Sequence, residues 1–367
     1  MGRAQRIVAA ALGAAAVGLI ARAAWGVPAA MGAASTGKRR DRVQGSPQFR
    51  DGKFRNTQPS QVVPASDYPK LFRRMLTNRA PSRPQTAIPV VTPGSDRSSE
   101  GLYVTWYGHA SSLVEIDGTR VLLDPVWSER VSPSALVGPK RLHPVPVPLE
   151  DVPPVDAIVI SHDHYDHLDL PTVRTLLRTT HAPFLVPLGI GAHLERWGVP
   201  AARIVELDWD QSAEVAGVRF TATAAQHFSG RGLSRDDTLW ASWVIAGPAH
   251  RVFYSGDTGY FDGFAAIGAE HGPFDASLVQ IGAYDPMWSD IHMTPEQGVA
   301  AHQDVQAHVL IPVHWGTFNL ALHSWSEPVD RLWREAKAQD VRLAVPRPGE
   351  RVDLTDPPIV DGWWQAL

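Results

Sequence analysis

The chain has 367 residues, enough for one large domain with appendages and too few for three. With 34 basic and 38 acidic side chains it carries a net charge of −4, and no long run of either sign occurs, so no nucleic-acid partner is expected. The absence of cysteine excludes disulfides, thiolate metal sites and cysteine nucleophiles; any metal must rest on His and carboxylates, which suit Zn, Fe or Mn.

Arg3 and Arg6 precede a run from Ile7 to Ala21 made only of apolar residues and Gly; Arg22 interrupts it, and small apolar residues continue to Ala34. A basic flank before about 15 apolar residues fits a secretory signal or signal-anchor better than a full span, which needs ~20. Residues 1–35 are therefore read as a signal or anchor segment, pointing to membrane association or export ahead of a cytoplasmic location. Residues 36–99 are rich in Arg, Ser, Pro and Gln. They read as an extended, partly mobile arm lying on the main domain, with a short helix over Tyr68–Leu76.

From Gly101 the texture changes. Leu102–Tyr107 and Ser112–Ile116 alternate like strands, and Asp117-Gly118 marks a hairpin before Thr119–Leu123. Val155–Ile160 is a short apolar run, as in a strand covered on both faces. A helix over Leu170–Leu177, a strand at Phe184–Val186, a helix over 189–197 and a strand at 203–207 follow. Hairpin-like strands are predicted near 213–225, 240–246 and 250–255, then a buried strand at Asp275–Ile281. Thr294-Pro295-Glu296 has the cap, the proline and the acid of a helix start. Val309–Val313 and Val329–Gln339 read as the last strand and helix. β-rich groups with interspersed helices predict an α/β domain over residues 100–355, an αββα sandwich of two mixed sheets flanked by helices, with 356–367 left as a tail.

The strongest chemical signal is Ser161-His162-Asp163-His164-Tyr165-Asp166-His167-Leu168-Asp169, directly after the buried strand ending at Ile160. It sets three imidazoles and several carboxylates in one loop, too polar for a core segment, and ligands at the end of a rigid strand lose little freedom on binding metal. His227, Asp257 and His314 stand at later strand exits, as a site assembled on one edge of two sheets requires.

These residues resemble the metallo-β-lactamase superfamily, and in particular its branch of N-acyl-phosphatidylethanolamine-hydrolysing phospholipase D enzymes. The supporting stretches include Gly108-His109-Ala110, Asp124-Pro125, Gly138-Pro139-Lys140-Arg141, Gln226-His227, Gly256-Asp257-Thr258-Gly259-Tyr260 and His314-Trp315-Gly316-Thr317-Phe318. The likeness covers roughly residues 100 to 350, with Phe49–Asn56 similar to the family's N-terminal stretch. The resemblance implies one metal on His162, His164 and His227, a second on Asp166, His167 and His314, and Asp257 bridging them. Zinc is the expected metal, with iron or manganese as alternatives. Such a pair brings a shared water to near-neutral pKa and offsets charge on a reacting ester. Asp166 is expected to orient the attacking water as well as ligate. His292, just before the Thr294 helix start, matches a family His and is expected to donate a proton to the leaving alkoxide or to contact phosphate. His109 is expected to support the site.

For substrate, Lys140 and Arg141 in a Pro-rich loop are candidates for holding a phosphodiester, with Tyr165 beside the metal loop. Trp127, Trp209, Trp288, Trp315 and Tyr284 could receive acyl chains or simply pack. Together with the apolar leader these point to a membrane phospholipid, hydrolysed to a phosphatidic acid and an N-acylethanolamine. A lactonase or phosphodiesterase acting on a soluble substrate is the first alternative, and a non-catalytic metal-binding protein the second. A membrane surface is the expected partner, and the resemblance allows a homodimer. Ile291 departs from the polar residue that the animal enzyme carries before its His.

Overall fold

The computed structural model describes residues 23–60, 62–94, 100–232 and 234–367. The apolar run Ile7–Ala21 and Arg22 lie outside them. No helix among the described residues is long and apolar enough to cross a membrane.

After a single helical turn, α1 (Val27–Ala30), and α2 (Gly37–Gln44), the arm forms a small hairpin, β1 (Phe49–Arg50) and β2 (Lys53–Phe54), and then α3 (Tyr68–Thr77). A seven-stranded sheet follows, in spatial order β15-β3-β4-β5-β6-β7-β8. Its strands are β3 (Leu102–Gly108), β4 (Ser111–Ile116), β5 (Thr119–Leu123), β6 (Ala157–Val159), β7 (Phe184–Pro187), β8 (Ile204–Leu207) and, from the far end of the chain, β15 (Arg351–Asp353). The second sheet has six strands in the order β14-β13-β12-β11-β10-β9. It comprises β9 (Ser212–Val215), β10 (Val218–Thr223), β11 (Ser242–Ala246), β12 (Arg251–Tyr254), β13 (Phe274–Gln280) and β14 (Ala307–Val313). Both sheets are mixed. The β15-β3-β4-β5 and β12-β11-β10-β9 neighbours run antiparallel, and β5-β6-β7-β8 and β12-β13-β14 run parallel.

The first sheet shows why this sequence builds layers. On β3, β4 and β5 the residues Val104, Trp106, Val114, Val121 and Leu123 join the inter-sheet core, while their neighbours Tyr107, Leu113 and Leu122 join a second cluster on the opposite face. The period of two thus serves both faces at once. The outer cluster is closed by α4 (Leu170–Thr179), through Leu170, Val173 and Leu176, and by Leu194 of α5 (Gly191–Arg196). On the other side α6 (Gly263–His271), α7 (Pro295–Asp304) and α8 (Glu327–Ala338) cover the second sheet. This is the αββα sandwich that the sequence predicts. Thr294 caps α7 with a reciprocal capping box to Gln297, and Pro295 opens the helix, as its sequence suggests.

Two predicted boundaries are redrawn. Residues 23–35, grouped in the sequence with the leader, dock on the domain: Trp197 Nε1 donates to Ala29 O at 2.7 Å and Arg231 Nε to Ala30 O at 2.9 Å. The tail 356–367 ends in buried Trp363 and Trp364, which pack on Trp315. Indoles that lose this much apolar surface to water belong to the core. The arm is anchored by Phe54 and Ile88 in the inter-sheet core and by Arg39, which pairs with Glu195 and Glu206 at 2.6 Å each.

Candidate metal centre

Each chemical residue sits in the loop that leaves a strand or enters a helix. His109 follows β3, Asp124 follows β5, the 161–169 loop follows β6, His227 follows β10, Asp257 follows β12, His314 follows β14, and His292 precedes α7. In the extended start of the 161–169 loop, His162 and His164 share one side and Asp163 faces the other, because side chains alternate along extended backbone. The Asp163 carboxylate is tied down on that far side. It accepts from Gly230 N at 2.7 Å and Thr238 Oγ1 at 3.0 Å, and lies 3.2 Å from His193 Nε2. Arg231 Nη1 donates to the carbonyls of Asp163 and Leu168. The loop is therefore held from behind while its imidazoles face the cleft.

The donors converge. His162 Nε2 and His164 Nδ1 lie 2.9 Å apart, and His227 Nε2 lies 3.3 Å from His164 Nδ1. Around Asp257 Oδ2 stand His314 Nε2 at 3.0 Å, His167 Nε2 at 3.2 Å, and His162 Nε2 and His227 Nε2 at 3.9 Å each. Asp166 Oδ2 lies 3.2 Å from His314 Nε2 and 3.6 Å from His167 Nε2. The atoms of His162, His164 and His227 form one compact set, those of Asp166, His167 and His314 fall in another that includes His109, and Asp257 stands between the halves.

Ionisation suits cation binding. Burial opposes the charge of Asp257 and Asp166, but His167 and the imidazoles beside them outweigh it and hold both carboxyls well below the ordinary range. Burial and neighbouring imidazoles keep His162 neutral, and burial does the same for His227. His314 is the converse case: Asp257 and Asp166 overcome burial and raise it to about 9. A cation entering that half displaces this proton. Among the described residues, His167 Nε2 and Asp257 Oδ1 are buried without a hydrogen-bond partner, a costly state for polar atoms unless something else binds them. The donor set and these orphaned atoms fit two cations held by N and O ligands.

Neighbouring residues lock the candidate ligands. Asp124, fully buried, accepts on Oδ2 from Ser161 Oγ and Tyr254 OH at 2.5 Å each and lies 2.6 Å from His167 Nδ1; its Oδ1 accepts from Ser161 N at 2.7 Å. This fixes the tautomer of His167 so that Nε2 faces the cleft. His109 Nε2 lies 2.9 Å from Asp166 Oδ2. His109, Asp124 and His314 all have positive φ, an uncommon conformation for non-glycine residues that is concentrated at functional sites. At Gly256, φ 55°, a Cβ would come within 2.7 Å of Ser161 Cβ, so glycine lets the Asp257 turn reach the metal loop.

The arm contributes a residue that its sequence gave little reason to single out. Asn56 Nδ2 donates to His227 O at 2.8 Å, while its Oδ1 accepts from His227 N at 3.1 Å and Trp240 Nε1 at 2.9 Å. One amide thus clamps the backbone of a candidate metal ligand across 171 residues of chain. Asn56→Ala is expected to weaken metal binding about 10–100-fold and to cost about 1–3 kcal/mol of stability. Chelator competition and thermal unfolding check this, and an unchanged affinity would contradict it.

The cleft, of about 270 Å³, is lined by His164, Asp166, Asp257, His292 and His314 with Trp288, Phe228, Ile291, Leu320 and the arm residues Val62 and Val63. His292 also lines an adjoining cavity of about 570 Å³ bounded by Arg74, Tyr284, Asp285, Leu322, His323 and Arg331. Three sequence candidates for substrate binding lie elsewhere. Lys140 is ion-paired to Glu129 at 2.6 Å on the surface. Arg141 is buried, with its guanidinium bonded to the carbonyls of Val126 and Ser128 and stacked on Phe318. Tyr165 donates its OH to Arg231 O at 2.6 Å, with the Arg231 guanidinium over its ring. None of the three lines the cleft, because each is engaged by the loops that shape the walls. Of the aromatic candidates, Trp288 lines the cleft and Tyr284 the adjoining cavity, while Trp209 and Trp315 are core and Trp127 packs on Tyr107.

Fold and site together define a class: the chain belongs to the metallo-β-lactamase superfamily of metal-dependent hydrolases, and the model of the β-lactamase superfamily domain matches residues 119–315. Within it, the chain is 38% identical over 262 residues to N-acyl-phosphatidylethanolamine-hydrolyzing phospholipase D 1 of Caenorhabditis elegans, covering 67% of this chain and 74% of that one. It is 51% identical over 369 residues to an uncharacterized protein of Mycobacterium tuberculosis, covering 99% of each. Among solved structures it is similar to Igni18, a metallo hydrolase from Ignicoccus hospitalis, with a TM-score of 0.54 at 24% identity, covering 68% of this chain and 97% of the other.

Proposed function

We propose that the protein is a dinuclear zinc phosphodiesterase of phospholipase D type, which cleaves N-acyl-phosphatidylethanolamine-type lipids to N-acylethanolamine and phosphatidic acid. The observation that carries the reading is the convergence of seven His and Asp donors in one cleft with His292 on its wall. The likeness to the nematode enzyme supports the substrate class.

The residues have separable tasks. His162, His164 and His227 would hold one cation, and Asp166, His167 and His314 the other, with Asp257 between them. When bound, the pair supplies Lewis acidity and an activated water at neutral pH. Asp166, whose Oδ2 is held by His109 and His314, keeps its carboxylate fixed beside the reacting centre. Burial lowers His292 to about 4, so at neutral pH it is an uncharged imidazole with one N–H to offer. Its Nδ1 is buried with no hydrogen-bond partner among the described residues. It is thus placed to hydrogen-bond a phosphoryl or leaving oxygen. His292→Ala is expected to lower turnover by ~100-fold or more with metal content unchanged, and unchanged turnover removes this role.

A second reading, a phosphodiesterase or lactonase for soluble substrates, is favoured by the cleft of about 270 Å³, which holds a small polar group and not long acyl chains. Turnover of N-acyl-phosphatidylethanolamine in detergent micelles separates the two. Release of N-acylethanolamine that vanishes in His164→Ala supports the lipid. No release by protein that still cleaves a soluble phosphodiester favours the second reading.

A further inference from the structure

The arm helix α3 leaves its apolar side in water. Tyr68, Phe72, Met75 and Leu76 are 55, 63, 59 and 71% exposed, and no residue of the helix is buried. At 100° per residue these four fall on one continuous arc that Leu71 extends. Lys70 and Arg73 fall on the opposite side, and Arg79 follows the helix. From Tyr68 to Arg79 the segment carries no acidic residue. On this helix only Leu71 and Arg74 are even partly covered, and the Arg74 guanidinium is held in two parallel bonds by Asp285, at 2.6 and 2.7 Å. Arg74 and Asp285 both line the cavity that shares His292 with the metal cleft.

We infer that α3 is the surface by which the protein rests on an anionic phospholipid bilayer. An apolar arc backed by cations and free of acids is what an interfacial helix needs: the arc enters the acyl boundary and the cations meet anionic headgroups. This complementarity, with no acid within the helix and only Asp67 at its start, favours a lipid surface over a second copy of this chain, whose net charge is negative. The inference deepens the phospholipid reading above. A cleft of about 270 Å³ admits a headgroup and leaves long tails outside, and the Arg74–Asp285 pair fixes the apolar arc beside the mouth through which that headgroup enters.

The chain has no cysteine, so single labels are clean. In the metal-loaded full chain, an environment-sensitive dye is placed on Leu76→Cys. A control carries it on Arg219→Cys, exposed at the start of β10 and so at the opposite end of that strand from His227. Both are mixed with phosphatidylcholine vesicles containing roughly a third phosphatidylglycerol, which carry no N-acylated headgroup, so the test is independent of turnover. The expected result is a blue shift and quenching by a lipid-borne quencher at Leu76→Cys and neither at Arg219→Cys. Phe72→Ser combined with Met75→Ser is expected to weaken vesicle binding about tenfold or more while leaving cleavage of a soluble phosphodiester intact. A dye at Leu76→Cys that ignores vesicles overturns the inference. So does a shift that grows with protein concentration and not with lipid, which would assign the face to a second copy.

Discussion

Asp257→Ala is expected to reduce bound metal from about two ions per chain to one or fewer and turnover by at least about a thousandfold. Asp257 is the carboxylate on which both halves of the site converge, with four imidazole nitrogens between 3.0 and 3.9 Å from its Oδ2. Removing it takes away the carboxylate that would lie between the two cations and leaves the imidazoles of His167 and His314 without the charge that raises both. Asp257 is buried among imidazoles that it pairs with, so its removal also costs the metal-free fold about 3–5 kcal/mol, and metal and rate are read on variant protein verified as folded. Elemental analysis beside a phosphodiester assay reads both quantities, and a variant that keeps two ions and full rate would contradict the ligand assignment.

Asp124→Ala is expected to destabilise the fold by about 3–5 kcal/mol and to weaken metal binding about 10–100-fold. Its Oδ1 accepts from the Ser161 backbone N–H at 2.7 Å, and Ser161 Oγ, Tyr254 OH and His167 Nδ1 all meet its Oδ2 in the core between the sheets. Each donor left unpaired there costs about 1–3 kcal/mol. Ser161, His167 and Tyr254 are themselves buried, so bulk water does not replace the lost bonds at no cost. Denaturant unfolding with and without metal separates the two components. Normal stability with weak metal binding would confine Asp124 to tuning His167, and normal values of both would show the network to be dispensable.

Much of this molecule was legible in the sequence because its strongest signals are local. The Val155–Ile160 run yields β6, and the His-rich loop after it puts its imidazoles where alternation along an extended chain requires. Thr294-Pro295 starts α7 with little help from its surroundings. His227, Asp257 and His314 needed one further idea, that ligands gather at strand exits, and they do converge.

The residues to which the sequence assigned no role act across long separations. Asn56 reaches His227 over 171 positions and Asp124 reaches Tyr254 over 130, and neither neighbourhood announces its partner. The Lys140-Arg141 pair shows the reverse failure. A basic dipeptide suggests phosphate, but Arg141 was drawn inward by the unsatisfied carbonyls of its own loop and Lys140 by Glu129. A side chain's direction is set by such tertiary contacts and is not written in composition. The short helix α6, rich in Ala and Gly, has almost no amphipathic contrast to read, whereas the strong contrast of α3 was visible and its exposure was not.

The most direct measurement of the central claim is native mass spectrometry of the purified full-length chain before and after chelation, paired with cleavage of bis(p-nitrophenyl) phosphate. The account expects a mass surplus of about two metal ions per chain, with activity that disappears on chelation and returns when zinc is restored. A folded chain that takes up no metal from excess zinc, or that cleaves the diester equally well after chelation, would contradict it.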